Sequence, residues 1–137
     1  MLTKERLEAL INDRAFADLI GETENQFFDC KSGIYDLTNP SKKLELAKDV
    51  SSFANAEGGF LLLGVQTERR ATQSLDAIVE LTPFSKALLN IEQCHSVISE
   101  WIYPRIENLT VQWVSEKTGN DRGFGIIKIA ARSDIPR

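Results

Sequence analysis

The chain has 137 residues, of which 42% are hydrophobic, 26% charged and 8% aromatic. That composition fits one ordinary domain with its own core and excludes a disordered chain. The 16 Lys and Arg against 20 Asp and Glu leave a net charge of -4, which argues against a non-specific nucleic-acid coat but leaves room for a local basic face or an acid-built metal site.

No apolar run approaches the roughly 20 residues of a membrane-spanning helix, so no membrane segment is expected. The stretch Met1-Leu2-Thr3-Lys4-Glu5-Arg6 lacks the apolar core of a secretory signal. Cys30 and Cys94 are too few for a disulfide framework and read as buried free thiols of a cytoplasmic protein. No linker or repeat divides the sequence, so residues 1–137 are expected to form a single domain.

Residues 3–20 carry an apolar stripe, Leu7, Leu10, Ile11, Phe16, Leu19 and Ile20, which predicts helix broken near Asn12-Asp13 and stopped at Gly21. Residues 26–35 read as a strand. A loop follows, and Asn39 or Ser41 caps a helix whose first turn suits Pro40. Leu46, Val50, Phe53 and Ala54 recur at helical spacing as one buried face. Gly58-Gly59 ends that helix. Phe60 to Val65 then form an uncharged run, the mark of a central strand covered on both faces.

Residues 66–83 are polar, include Arg69-Arg70, and read as a long loop or lid. Phe84 to Leu89 adds a helical turn. Asn90, with Gln93 placed for a capping box, opens a helix striped by Ile91, Cys94, His95, Ile98, Trp101 and Ile102 and stopped by Pro104. Leu109 to Val114 and Phe124 to Ala131 read as a hairpin around Gly119-Asn120-Asp121. The chain then ends at Ile135-Pro136-Arg137, and a domain cut from a longer protein is expected. The order helix, strand, helix, strand, helix, strand, strand predicts an α/β (α+β) fold, a mixed sheet of about four or more strands covered by helices.

Several chemistries lack their motifs. There is no phosphate-binding Gly-x-x-x-x-Gly-Lys-[Ser/Thr] loop and no Gly-x-Gly-x-x-Gly, so no nucleotide cofactor is supported. The single histidine, His95, excludes a His-rich metal site and reads as structural or surface. No Cys/His spacing fits zinc.

Three pieces stand out together. In the first, Asp29 and Lys31 sit two apart on a strand and share one face, while Phe28 and Cys30 face a core. An acid and a lysine so placed can hold a hard cation and orient a water; the same pattern also arises as an ion pair on a solvated face. Glu24 lies five residues before Asp29 and joins it only from a preceding turn or across a bulge. In the second piece, Asn55 ends the helix; its amide can cap the end, bind backbone across the turn or contact a phosphate. Gly58 and Gly59 let the chain reverse tightly, and can equally be simple punctuation. The third piece is the strand Phe60-Leu61-Leu62-Leu63-Gly64-Val65.

Acid-x(4)-acid-x-Lys, a helix ending Ser52-Phe53-Ala54-Asn55-Ala56-Glu57-Gly58-Gly59, and a Leu-rich strand ending Gly-Val resemble the Schlafen-type AlbA-like domain, also labelled divergent AAA or transcriptional regulator. The resemblance covers roughly residues 20–131. The family usually has Glu-Phe-Lys where this chain has Asp29-Cys30-Lys31. It implies nucleic-acid binding, of RNA or DNA, within a larger regulatory or defence protein. In Schlafen proteins it also implies a metal-dependent RNA-cleaving site of three acids. The first two map onto Glu24 and Asp29, as ligands of Mg²⁺ or Mn²⁺. The third normally follows the Gly-Val strand; here that stretch is Gln66-Thr67-Glu68, with Glu68 slightly displaced.

Three functions follow as expectations. A binding module would contact phosphates through Lys31, Lys42, Lys43, Lys48, Arg69 and Arg70, although the α-helical lysines also suit a solvated face. An endoribonuclease would use Glu24 and Asp29 as ligands, Lys31 to position water or stabilise charge, and Glu68 to complete the site. A protein-assembly domain would form a homo-oligomer through residues 66–83 and the C-terminal end, or engage further domains C-terminal to it.

Overall fold

The structure, a computed structural model, describes residues 2–69, 71 and 74–133. Its centre is β2 (Gly59–Leu63), every residue of which is buried, as its uncharged run requires. It pairs in parallel with β1 (Phe28–Lys31) and antiparallel with β7 (Arg122–Ile129). The other edge of β7 carries β6 (Leu109–Ser115), and the short β5 (Phe84–Ser85) continues the β2 side. The result is a mixed five-stranded sheet, with β1 at one edge.

Each face of the sheet holds an apolar layer. On one face, α2 (Pro40–Asn55) and α3 (Ile91–Trp101) bury Leu46, Val50, Ala54, Val97 and Ile98 against Leu61, Leu63, Ile127 and Ile129. On the other, α1 (Lys4–Asn12) and a 3-10 turn at Phe16–Leu19 bury Leu7, Leu10 and Leu19 against Phe28, Phe60, Leu62 and Ile126. Side-chain alternation along the strands makes this division.

The helix ends follow the sequence chemistry. Asn39 Oδ1 accepts from Ser41 N–H at 2.9 Å and Pro40 occupies the first turn of α2. Asn90 Oδ1 accepts from Gln93 N–H at 3.0 Å. The break expected near Asn12-Asp13 lies between α1 and the 3-10 turn. Cys30 and Cys94 are buried and unbridged, and His95 is exposed. Among the described residues no helix is long and apolar enough to cross a membrane.

Three readings shift at their bounds: the strand at 26–35 shortens to β1, the strand at Phe60–Val65 stops at Leu63, and Phe84 to Leu89 opens as β5 before a 3-10 turn at Lys86–Leu88. One stretch departs altogether. Residues 66–83, read as a loop, hold β3 (Val65–Arg69) and β4 (Asp76–Leu81), an antiparallel hairpin. Gly64, at φ +101°, turns the chain out of β2 into β3. Val65 and Ile78 are buried in the α1-side layer, and Ala77 is also buried. A register shift between Gln66 and Thr67 breaks the simple alternation that would have announced β3.

Candidate functional site

The site forms where the segment before β1 folds back on that strand. Residues 21–24 run antiparallel to β4: Gly21 N–H donates to Ile78 O at 2.8 Å, Ile78 N–H to Glu22 O at 2.8 Å and Glu24 N–H to Asp76 O at 2.9 Å. A tight turn follows, in which Asn25 Oδ1 accepts from Phe27 N–H at 2.8 Å and Asn25 Nδ2 donates to Leu2 O at 2.9 Å. The turn takes Glu24 out of the strand alternation and lays its carboxylate beside Asp29.

The two acids meet over one amide. Cys30 N–H donates to Glu24 Oε2 at 2.7 Å and to Asp29 Oδ1 at 2.9 Å. Phe27 and Lys31 turn their carbonyls toward β2, accepting from Phe60 and Gly64, so the Cys30 amide points to the free edge of β1. The carboxylates cap an otherwise unpaired edge donor. Two carboxyl groups gathered on one amide disfavour each other's charge. Burial first, then the Asp29 contact and the charge of Asp76, push the Glu24 carboxyl up to about 8, against the lowering pull of the Cys30 amide. Burial, with the Glu24 and Asp29 charges, pushes the Cys30 thiol up, so it is no nucleophile.

Lys31 is held on the same side of β1. Its Nζ lies 3.3 Å from Glu45, 3.4 Å from Asp49 and 3.9 Å from Asp29. Tyr35 Oη donates to Asp49 at 2.5 Å. Partial burial would lower the Lys31 ammonium, but the Asp49, Asp29 and Glu45 carboxylates outweigh it and hold it above its ordinary value. Three carboxylates thus surround this cation, which leaves it little net charge to offer a phosphate.

The other candidates are dispersed. Lys42, Lys43 and Lys48 project about a third of a turn apart around α2 at about 100° per residue, so they form no single basic stripe. Lys42 pairs with Glu45 at 3.0 Å. Lys48 is exposed and Lys43 partly so. Arg69 pairs with Asp76 at 3.0 Å, and Arg70 lies outside the described residues. Asn55 is the last residue of α2 and is exposed.

Gly58 has φ +81°, and a Cβ there would stand 2.5 Å from Ile129 O. At Gly59 a Cβ would stand 2.6 Å from Phe27 O and 2.4 Å from the Phe53 ring. The glycine pair therefore brings the start of β2 against β1 and β7 and seats Phe53 on the turn.

For a hard divalent cation the donor chemistry fits in part. Two adjacent carboxylates can hold Mg²⁺ that keeps several waters. Glu68 is exposed on β3, and among the described residues no group of three Asp, Glu, His or Cys side chains is arranged to hold a metal ion. Sequence reasoning missed Asp76, which lay in the presumed loop. It also missed Glu45 and Asp49, whose i, i+4 spacing on the helix flank was the available signal.

The chain is thus an α/β domain with an acid pair at a sheet edge and a glycine-paired helix–strand turn. Residues 24–137 match the family model described as Schlafen, AlbA_2, and the chain belongs to that family. No curated protein matches the chain.

Proposed function

We propose that this domain binds nucleic acid, RNA or DNA, through backbone contacts, as part of a larger regulatory or defence protein. The observation that carries this reading is membership of the Schlafen AlbA_2 family over residues 24–137. The charge layout refines it. Lys31, enclosed by three carboxylates, positions the site rather than contacting phosphate. Lys43 and Lys48 on α2 are the better phosphate contacts, with Lys42 and Arg69 available where a phosphate outcompetes their carboxylate partners. Filter binding of labelled RNA and DNA across a salt series tests this. Affinity should fall with rising salt, and Lys43→Ala with Lys48→Ala should flatten that slope by about 1 to 2. Absent or salt-independent binding would overturn it.

A second reading, metal-dependent cleavage of RNA, is favoured by the meeting of Glu24 and Asp29 over the Cys30 amide. These two carboxylates would hold Mg²⁺ or Mn²⁺. When bound, the cation would supply Lewis-acid stabilisation of phosphate charge and a more acidic water. Lys31, kept protonated by its carboxylates, would hold Asp29 in place. Incubating tRNA and Mn²⁺ with wild type and with Asp29→Ala tests it. Cleavage confined to wild type is expected, and equal background in both would end this reading.

A further inference from the structure

A cavity of about 440 Å³ opens beside the acid pair, within the roughly 300–1,000 Å³ range of small-ligand sites. Its walls differ in chemistry. Phe28, Phe53 and Leu75 contribute apolar lining, and Glu24, Asn25, Gln26 and Asp29 contribute polar lining. Leu75, which lines the cavity, is 48% exposed. The Cδ1–Cε1 edge of Phe53 lies on Gly59, where any Cβ would strike it. The ring is thus partly buried, packed against the α2-side core and the Gly59 backbone. An aromatic ring facing fixed hydrogen-bonding groups is how proteins take up single unstacked bases.

We infer that this cavity takes one unpaired nucleobase of the bound strand, stacked on Phe53 with a donor-rich edge against Asp29, and that guanine is the preferred base. The inference rests on the nucleic-acid-binding reading and names its specificity element. A carboxylate accepts two parallel N–H bonds from a planar fork, the geometry by which it pairs with arginine. Guanine presents such adjacent donors in its ring N–H and exocyclic amine. Cytosine and adenine bring one amine, and uracil one ring N–H. The Asp29 carboxylate, which lines the cavity, is the acceptor, and the Gln26 amide on the exposed turn can meet the base's carbonyl.

The test uses short oligouridines with one guanosine, one uridine or one abasic nucleotide at the centre, titrated by fluorescence anisotropy. The guanosine oligomer should bind wild type about 10-fold more tightly than the abasic one. Phe53→Leu and Asp29→Asn, each checked for folding by circular dichroism, should lose that preference, and Phe53→Leu, which changes no charge, should keep the salt dependence of backbone binding. Equal binding of all three oligomers by wild type would overturn the base site and leave backbone binding standing. A guanosine preference surviving both substitutions would also overturn it. No binding of any oligomer would remove the nucleic-acid reading and this inference with it.

Discussion

Glu24 and Asp29 sit five positions apart, a spacing that would send them to opposite faces of one strand, yet they share the Cys30 amide. The Asn25 turn is what reconciles the two, because it leaves Glu24 in the segment paired with β4 instead of on β1. Bringing two carboxylates together in a half-buried place retains a proton that either would lose in water. The sign of the resulting pH dependence is fixed. The folded state holds the Glu24 proton up to about pH 8, whereas the unfolded chain releases it near 4.5. Stability from this group is therefore fully present below pH 4.5 and is lost as pH rises toward 8. Glu24→Gln keeps the side-chain shape and cannot ionise. It should match wild type near pH 5 and exceed it by about 1 to 2 kcal/mol near pH 9, since solvent screening at a half-open site reduces the bare Coulomb energy. Urea unfolding at both pH values reads this, and parallel behaviour of the two proteins would contradict it.

At the scale of elements, α2 was legible from its ends and its stripe. Asn39 and Pro40 start it, and Leu46, Val50 and Ala54 are fully enclosed. Local chemistry sufficed because a cap and a helical period are both short-range properties. The β3–β4 hairpin was not legible, since Gln66, Glu68 and Arg69 are exposed and the register shift interrupts the period of two. What makes it structure rather than loop is Ile78, wholly buried against the α1-side layer. Ile78→Ala should cost about 2 to 4 kcal/mol by thermal or urea unfolding, the range for emptying an enclosed aliphatic site. A cost below about 0.5 kcal/mol, as for a surface residue, would return these residues to the status of a loop. The same hairpin carries Asp76 and the backbone that anchors Glu24, so the acid pair depends on an element invisible to periodicity.

In the whole molecule, β2 and β7 are shared by both apolar layers, whereas α1 and the β3–β4 hairpin belong to one. Opening β2 or β7 exposes both cores at once. Amide exchange should therefore be slowest at Leu61, Leu62, Ile126 and Ile127 and faster in β3 and α1. A β3 protected as well as β2 would show the hairpin to be part of the same cooperative unit. By itself, the sequence determined α2 and α3 with their caps, most of the buried strand read at Phe60–Val65, the shared face of Asp29 and Lys31, and the family resemblance, because each rests on neighbours a few residues apart. Only the tertiary structure decided that Glu24 reaches Asp29, that Glu45 and Asp49 enclose Lys31, and that Phe53 lines a cavity. Those facts depend on which segments meet across the fold, and long-range pairing follows from burying two apolar layers on one sheet rather than from any local pattern.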